Sequence, residues 1–219
     1  LREHGPDSVA FYVSGQLLTE DYYAFNKLAR ALVGTHNIDS NSRLCMSSAV
    51  VGYKLSLGAD APPCSYEDIE LADCVMIAVS NMAYAHPVLF RRLEDARARR
   101  PEIKLIVIDP RVTDTAEAAD LHLAITPGSD VALFHGILHI LLWEGWVDRR
   151  FIERHTEGFD ALKERVRDFG PARVAELCGI DAADLLRCAE WIGRTPSFLS
   201  LWCMGLNQSH HGTHNGTAL

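Results

Sequence analysis

The sequence predicts an α/β fold built on a mainly parallel, doubly wound sheet with helices on both faces. Three observations predict it. Short apolar runs alternate with stretches of helical periodicity along the 219 residues. Several of those runs are continuously apolar, not alternating, as strands covered on both faces are. Each run also ends in polar residues, often with glycine, where an open parallel sheet holds its ligands.

The elements follow in order. The run "VAFYV" (9–13) precedes "TEDYYAFNKLARALVG" (19–34), a helix with Thr19 as N-cap and Gly34 as its stop. A long loop is expected over 34–46, and with it a boundary. Residues 1–46 would be a segment of a discontinuous α/β domain, and 47–219 a Rossmann-like domain. Helical spacing resumes at "SSAVVGYKLSLG", and "CVMIAV" (74–79) is the next strand. "PVLFRRLEDARARR" (87–100) begins with proline and ends in a basic turn, which suits a helix dipole. "KLIVID" (104–109) and "LHLAI" (121–125) are strands, and "SDVALFHGILHILLWEG" (129–145) is a core helix capped by Ser or Asp. Shorter helices are expected near 148–155, 159–168 and 171–193, and "FLSLWCM" (198–204) is the last strand.

Composition narrows the class. Apolar residues make up 48%, enough for a core, and the formal net charge is −8. An acidic chain of this kind is a poor nucleic-acid binder. The most apolar stretch, 131–146, is broken by His135, Gly136, His139 and Glu144, so nothing in it reads as a membrane span. The opening "LREHGPDSVA" lacks the pattern of a signal peptide, and both ends read as cuts in a longer polypeptide. The six cysteines have no CxxC pairing, which points to a reducing, cytoplasmic setting without disulfides. Cys74, Cys178, Cys188 and Cys203 lie in apolar or helical runs and read as buried small hydrophobes.

The strand ends carry the candidate chemistry. They are Ser14-Gly15-Gln16, then Ser80-Asn81, then Asp109 with Arg111 and Thr113, then Pro127-Gly128 with Asp130, then Gly205 with Asn207 and Gln208. Free N–H groups at such glycines hold phosphate, Asp109 suits a ribose, Arg111 a phosphate, and Asp130 a purine edge. No G-x-G-x-x-G or G-x-x-x-x-G-K-[ST] occurs, so a large nucleotide-like ligand held by another scheme is expected. Cys45 stands apart among Asn41, Ser42, Arg43, Ser47 and Ser48, at or just before a helix N-terminus that favours its thiolate. Close-spaced zinc ligands are lacking, and a protease context is lacking too. One thiolate with the remaining ligands brought by an organic cofactor is the scheme left.

Six blocks carry a family resemblance: "NIDSNSRLCMSSAVVGYKLSLG", "CSYEDIELAD", "SNMAYAHPVLFRR", "IDPRVTDTAEAADLHLAITPGSDVALFHG", "FIERHTEGF" and "MGLNQSHHGT". In order, and over nearly the whole chain, they resemble the molybdopterin oxidoreductases, nearest the assimilatory nitrate reductases with periplasmic ones as cousins. The motif R-x-C-M-x-S-A implies that Cys45 binds molybdenum and that Met46 packs over its substrate side. The resemblance implies a bis-molybdopterin guanine dinucleotide, touched by Ser14, Gly15, Gln16, Asn41, Ser80, Asn81, His86, Asp109 and Arg111. Its remaining contacts would be Thr113, Pro127, Gly128, Asp130, Met204, Gly205, Asn207, Gln208 and Gly212. His211 stands where the periplasmic cousins have arginine, and is expected near the active site. A [4Fe–4S] cluster is expected in a preceding segment that this sequence does not include.

The activity implied is reduction of nitrate to nitrite, with ferredoxin, flavodoxin or an NADH-linked reductase subunit as electron donor and neither membrane nor nucleic acid as partner. The segment by itself is expected to be inactive. Two alternatives stand: a formate dehydrogenase or other oxyanion reductase of the family, and a non-catalytic scaffold subunit of an electron-transfer complex. The cluster "HHGTH" is read as a cofactor loop, not a zinc site, and His122, His135 and His139 as satisfied core histidines.

Overall fold

The computed structural model describes all 219 residues, the side chain of Arg43 excepted. The Arg43 side chain, one of the polar neighbours of Cys45 in the sequence, therefore lies outside the described residues. A short 3-10 turn, Pro6–Ser8, leads into β1 (Phe11–Val13), α1 (Thr19–Lys27), a π-helical continuation (Leu28–Val33) and β2 (Ile38–Ser40). Leu18, not Thr19, is the N-cap, with Asp21 Oδ2 accepting from its N–H at 3.2 Å. Gly34 stops the helix with φ 81. The expected loop over 34–46 instead contains β2, paired in parallel with β1. A three-residue strand is too short to show a period of two.

Next come α2 (Ser42–Cys45), α3 (Ser47–Leu57), α4 (Asp68–Leu71), β3 (Cys74–Ala78), α5 (Met82–Ala85) and α6 (Pro87–Arg99). β4 (Lys104–Ile108), α7 (Asp114–Glu117), β5 (Leu121–Leu123) and α8 (Asp130–Trp143) continue the alternation. α9 (Arg149–His155), α10 (Phe159–Arg165), α11 (Pro171–Cys178) and α12 (Ala182–Arg194) precede β6 (Phe198–Trp202), α13 (Met204–Asn207) and α14 (Gly212–Ala218). The single helix expected over 171–193 is two. Gly179 ends α11 with φ 68, and Asp181 caps α12 by accepting from Ala183 N–H at 2.8 Å.

The larger sheet is parallel throughout, in the order β5-β4-β3-β6. All of β3 and all of β4 but Lys104 are buried, as continuous apolar runs require. Alternate residues feed two cores. Cys74, Met76, Ile106 and Ile108 pack with Leu133 and Ile137 of α8, Val174 of α11 and Leu185 of α12. Val75, Ile77, Leu105 and Val107 pack with Ile69 of α4, Met82 of α5 and Phe90 and Leu93 of α6. Helices on both faces make the sheet doubly wound. Gly136 lets α8 approach α11 closely, since a Cβ there would lie 2.7 Å from Val174 Cγ1.

β3, β4 and β5 step outward in one direction, whereas β6 lies on the other side of β3. The winding reverses between β3 and β6, and the crevice at their carboxyl ends is where such sheets bind ligands. At the opposite edge, Glu70 pairs with Arg92 and Arg99, Asp73 with Arg100, and Asp120 with Arg97. All six cysteines are free. Cys74, Cys178 and Cys188 are buried as expected, Cys203 only half so. Burial pushes the Cys74 thiol up to about 12.

Candidate functional site

Cys45 closes α2 and immediately precedes Met46, the N-cap of α3. Its N–H donates to Asn41 O at 2.9 Å, and Met46 O accepts from Val50 N–H at 3.0 Å. The two sulfur residues thus stand at the corner between two helices. Facing them is the turn after β6. Gln208 Nε2 donates to Cys45 Sγ at 3.0 Å and to Cys45 O at 2.9 Å. Asn207 Nδ2 donates to Met46 Sδ at 3.3 Å. Adjacent amides therefore grip adjacent sulfur residues, across sequence separations of 163 and 161. Asn207 is 1% exposed, and its Oδ1 is buried with no donor.

Two glycines bring this turn into place. A Cβ on Gly205 would lie 2.4 Å from Val79 O, and one on Gly212 would lie 1.9 Å from Asn207 O. Both positions exclude any side chain. Val79 directly follows β3 with φ 50, and among the described residues it is the one non-glycine with positive φ.

A second group forms at the carboxyl ends of β1 and β2. Asn41 Oδ1 accepts from Gly15 N–H at 2.6 Å, and a Cβ on Gly15 would lie 2.8 Å from Ser42 Cα. Ser14 Oγ accepts from Gln16 N–H at 3.2 Å. Ser14, Gly15, Gln16 and Asn41 are thus one corner, and Asn41 ties it to Cys45 through α2.

The third group lies at the ends of β3, β4 and β5. Ser80 and Asp109 are buried. Asn81 Oδ1 accepts from Thr115 Oγ1 at 2.9 Å, and that hydroxyl accepts from Ala83 N–H at 2.9 Å. Asp109 Oδ1 accepts from Arg111 N–H at 2.9 Å, and its carbonyl accepts from His122 Nε2 at 2.8 Å. The Arg111 guanidinium is exposed, 3.9 Å from Asp109 Oδ1. Thr113 Oγ1 caps α7, accepting from Ala116 N–H at 3.2 Å. Asp130 is the buried first residue of α8, and burial raises its pKa against the opposing pull of its backbone hydrogen bond.

Other expected residues are more dispersed. Ser80 and His86 line a cavity of about 240 Å³ with Tyr53 and Trp202. Gly128 and His211 line one of about 820 Å³ with Phe134 and His135. Pro127 and Met204 are exposed. His211 is the N-cap of α14, its ring 4.6 Å from that of His210 and 6.0 Å from that of His214. Among the described residues no three His, Cys, Asp or Glu gather to hold a metal. His122 and His139 are satisfied by backbone carbonyls, as expected of core histidines. His135 is not: its Nδ1 is buried without a partner, and burial lowers its pKa. Sequence reasoning missed Thr115 and Val79. Nothing in "VTDTAE" singles out the second threonine, and valine is the residue least expected at positive φ.

An open parallel sheet, with polar side chains gathered at its winding reversal, defines a doubly wound α/β protein. The chain belongs to the molybdopterin oxidoreductase family, whose model matches residues 1–218. It is 47% identical over 215 residues to a nitrate reductase of Synechocystis sp., covering 98% of this chain and 30% of that protein. It is 48% identical over 219 residues to a nitrate reductase of Klebsiella oxytoca, covering 99% and 24%. An F420-dependent formate dehydrogenase subunit alpha of Methanocaldococcus jannaschii is 38% identical over 213 residues, with 97% and 31% covered. Among solved structures, acetylene hydratase from Pelobacter acetylenicus superposes with a TM-score of 0.77 at 27% identity, over 99% of this chain and 29% of that one. The chain thus spans between about a quarter and a third of the length of the relatives it matches. Among the described residues no helix is long and apolar enough to cross a membrane.

Proposed function

We propose that this chain is the part of a molybdenum-dependent nitrate reductase that supplies the metal's protein ligand, and that the whole protein reduces nitrate to nitrite. The observation that carries this reading is the double amide grip on Cys45 and Met46, in a chain 47% and 48% identical to nitrate reductases. The donor set fits a molybdenum–pterin group. Cys45 offers one soft sulfur, and the other donors would come from the organic cofactor. When bound, that group supplies a two-electron couple and a Lewis-acidic centre for oxygen-atom transfer from nitrate.

The chain's own residues bind and orient. Gln208 fixes the direction of the Cys45 side chain, and Asn207 that of Met46, the substrate-side wall. Ser14, Gly15, Gln16, Asn41, Ser80, Asp109, Arg111 and Asp130 would hold the guanine dinucleotide tails. Asp130 would accept N–H bonds from a guanine edge, which offsets the loss of water that its burial entails. Two electrons and two protons convert nitrate to nitrite and water. The electrons would be supplied by a [4Fe–4S] cluster held in another segment, with ferredoxin, flavodoxin or an NADH-linked subunit as donor and the cytoplasm as the setting. Residues 1–46 form one unit of this arrangement and 47–219 the other.

The M. jannaschii formate dehydrogenase, 38% identical, motivates a second reading with formate as substrate. One experiment separates them. The protein carrying this sequence is purified, its molybdenum is measured, and it is assayed with reduced viologen plus nitrate and with formate plus oxidised viologen. Nitrite production, with molybdenum and activity both lost in Cys45→Ala, is the expected result. Formate oxidation without nitrite production supports the second reading, and wild-type protein without molybdenum sinks both.

A further inference from the structure

We propose that Val79 is a positioning residue, whose left-handed backbone pressed against Gly205 sets the place of α13 and so of the amides that hold Cys45 and Met46. The proposal rests on the site reading above. Val79 has φ 50, a conformation that a β-branched residue adopts only when its surroundings impose it. Its N–H donates to Ile108 O at 2.7 Å, so its amide is anchored to β4 before the chain turns. Its carbonyl and its Cγ1 then lie 2.4 and 2.7 Å from where a Cβ of residue 205 would stand.

Gly205 is the second residue of α13, a single turn that ends at Asn207 and is capped by Gln208. Leu206, between them, is fully buried in the core under β3. From the other side, Gly212 approaches the Asn207 carbonyl with no room for a Cβ. α13 is therefore clamped between the end of β3 and the start of α14, and Asn207 and Gln208 are the residues the clamp presents. The strain at Val79 persists at the winding reversal of the sheet, where strained backbone serves a site.

The test needs no cofactor. The protein carrying this sequence is purified cofactor-free and treated with iodoacetamide, and the alkylation rate of each cysteine peptide is followed by mass spectrometry. Exposed Cys64 serves as the reference, and buried Cys178 and Cys188 report on the fold as a whole. Glycine adopts this φ without strain and many others besides, so Val79→Gly frees the backbone that holds the turn and removes the Cγ1 beside Gly205. Cys45 is expected to react about five-fold faster, the factor that goes with loss of roughly one hydrogen bond's restraint, with Cys64, Cys178 and Cys188 unchanged. Gln208→Ala gives the same rise, and the double variant no more, if both act through one grip. Gly205→Ala, which forces residue 205 off the Val79 carbonyl, is expected to raise the Cys45 rate as well. An unchanged Cys45 rate in Val79→Gly while Gln208→Ala raises it overturns the proposal. So does a parallel rise at Cys178 and Cys188. Failure of the wild type to reduce nitrate bears on the functional reading alone, because this readout does not use turnover.

Discussion

Asp130 shows how burial writes a pH dependence into one side chain. Its carboxyl is removed from water at the start of α8, so its folded pKa stands above its unfolded one. Between those two values the folded state holds more protons than the unfolded, and stability falls as pH rises through that window. Asp130→Asn in cofactor-free protein is therefore expected to melt above wild type near pH 7 and to match it near pH 3, where both are neutral. A variant that melts lower near pH 7 would show that the charged carboxylate is stabilised in place. At this scale much was legible in the sequence. A lone cysteine among polar residues, a buried aspartate at a helix start and a run of polar strand ends were all visible as types and spacings. The partner of each was not. That Gln208 reaches Cys45 and Thr115 reaches Asn81 depends on where β6 and α7 dock, and no local pattern records docking.

Helices α8 and α11 meet through Gly136, whose missing Cβ leaves room for Val174. Gly136→Ala gains helix propensity of up to about 1 kcal/mol but overpacks a site where Val174 is fully buried, at a cost of about 1–3 kcal/mol. A net loss of stability in urea titration is expected, with Val174→Ala in the same chain recovering part of it. If Gly136→Ala alone is the more stable, the two helices have slack the distances deny. Elements with strong periodicity and apolar continuity, such as β3, β4, α6 and α8, were readable almost to their ends. The shortest were not. β2 has no signal because three residues carry no period, and the break at Gly179 is masked by apolar spacing that runs through both α11 and α12.

Burial divides the molecule as a whole. The four-stranded sheet and its helices hold both hydrophobic cores, whereas the first 46 residues bury little beyond Val13, Ala29 and Thr35. That part exposes Tyr12, Leu18, Tyr23 and Leu32, each by more than 60%. Native-state hydrogen exchange is expected to be graded accordingly, with amides of β1 and β2 opening well before those of β3 and β4. Uniform protection across both sheets would refute the boundary proposed near residue 46. The parallel topology has one further consequence, in time. The amide that holds Cys45 lies 163 residues further along the chain. At a synthesis rate of about 5–20 residues per second, Cys45 emerges on the order of ten to thirty seconds before Gln208 exists to grip it. For that interval the thiol is a nascent-chain cysteine without its partner, so the grip on Cys45 can form only once the turn after β6 has been made.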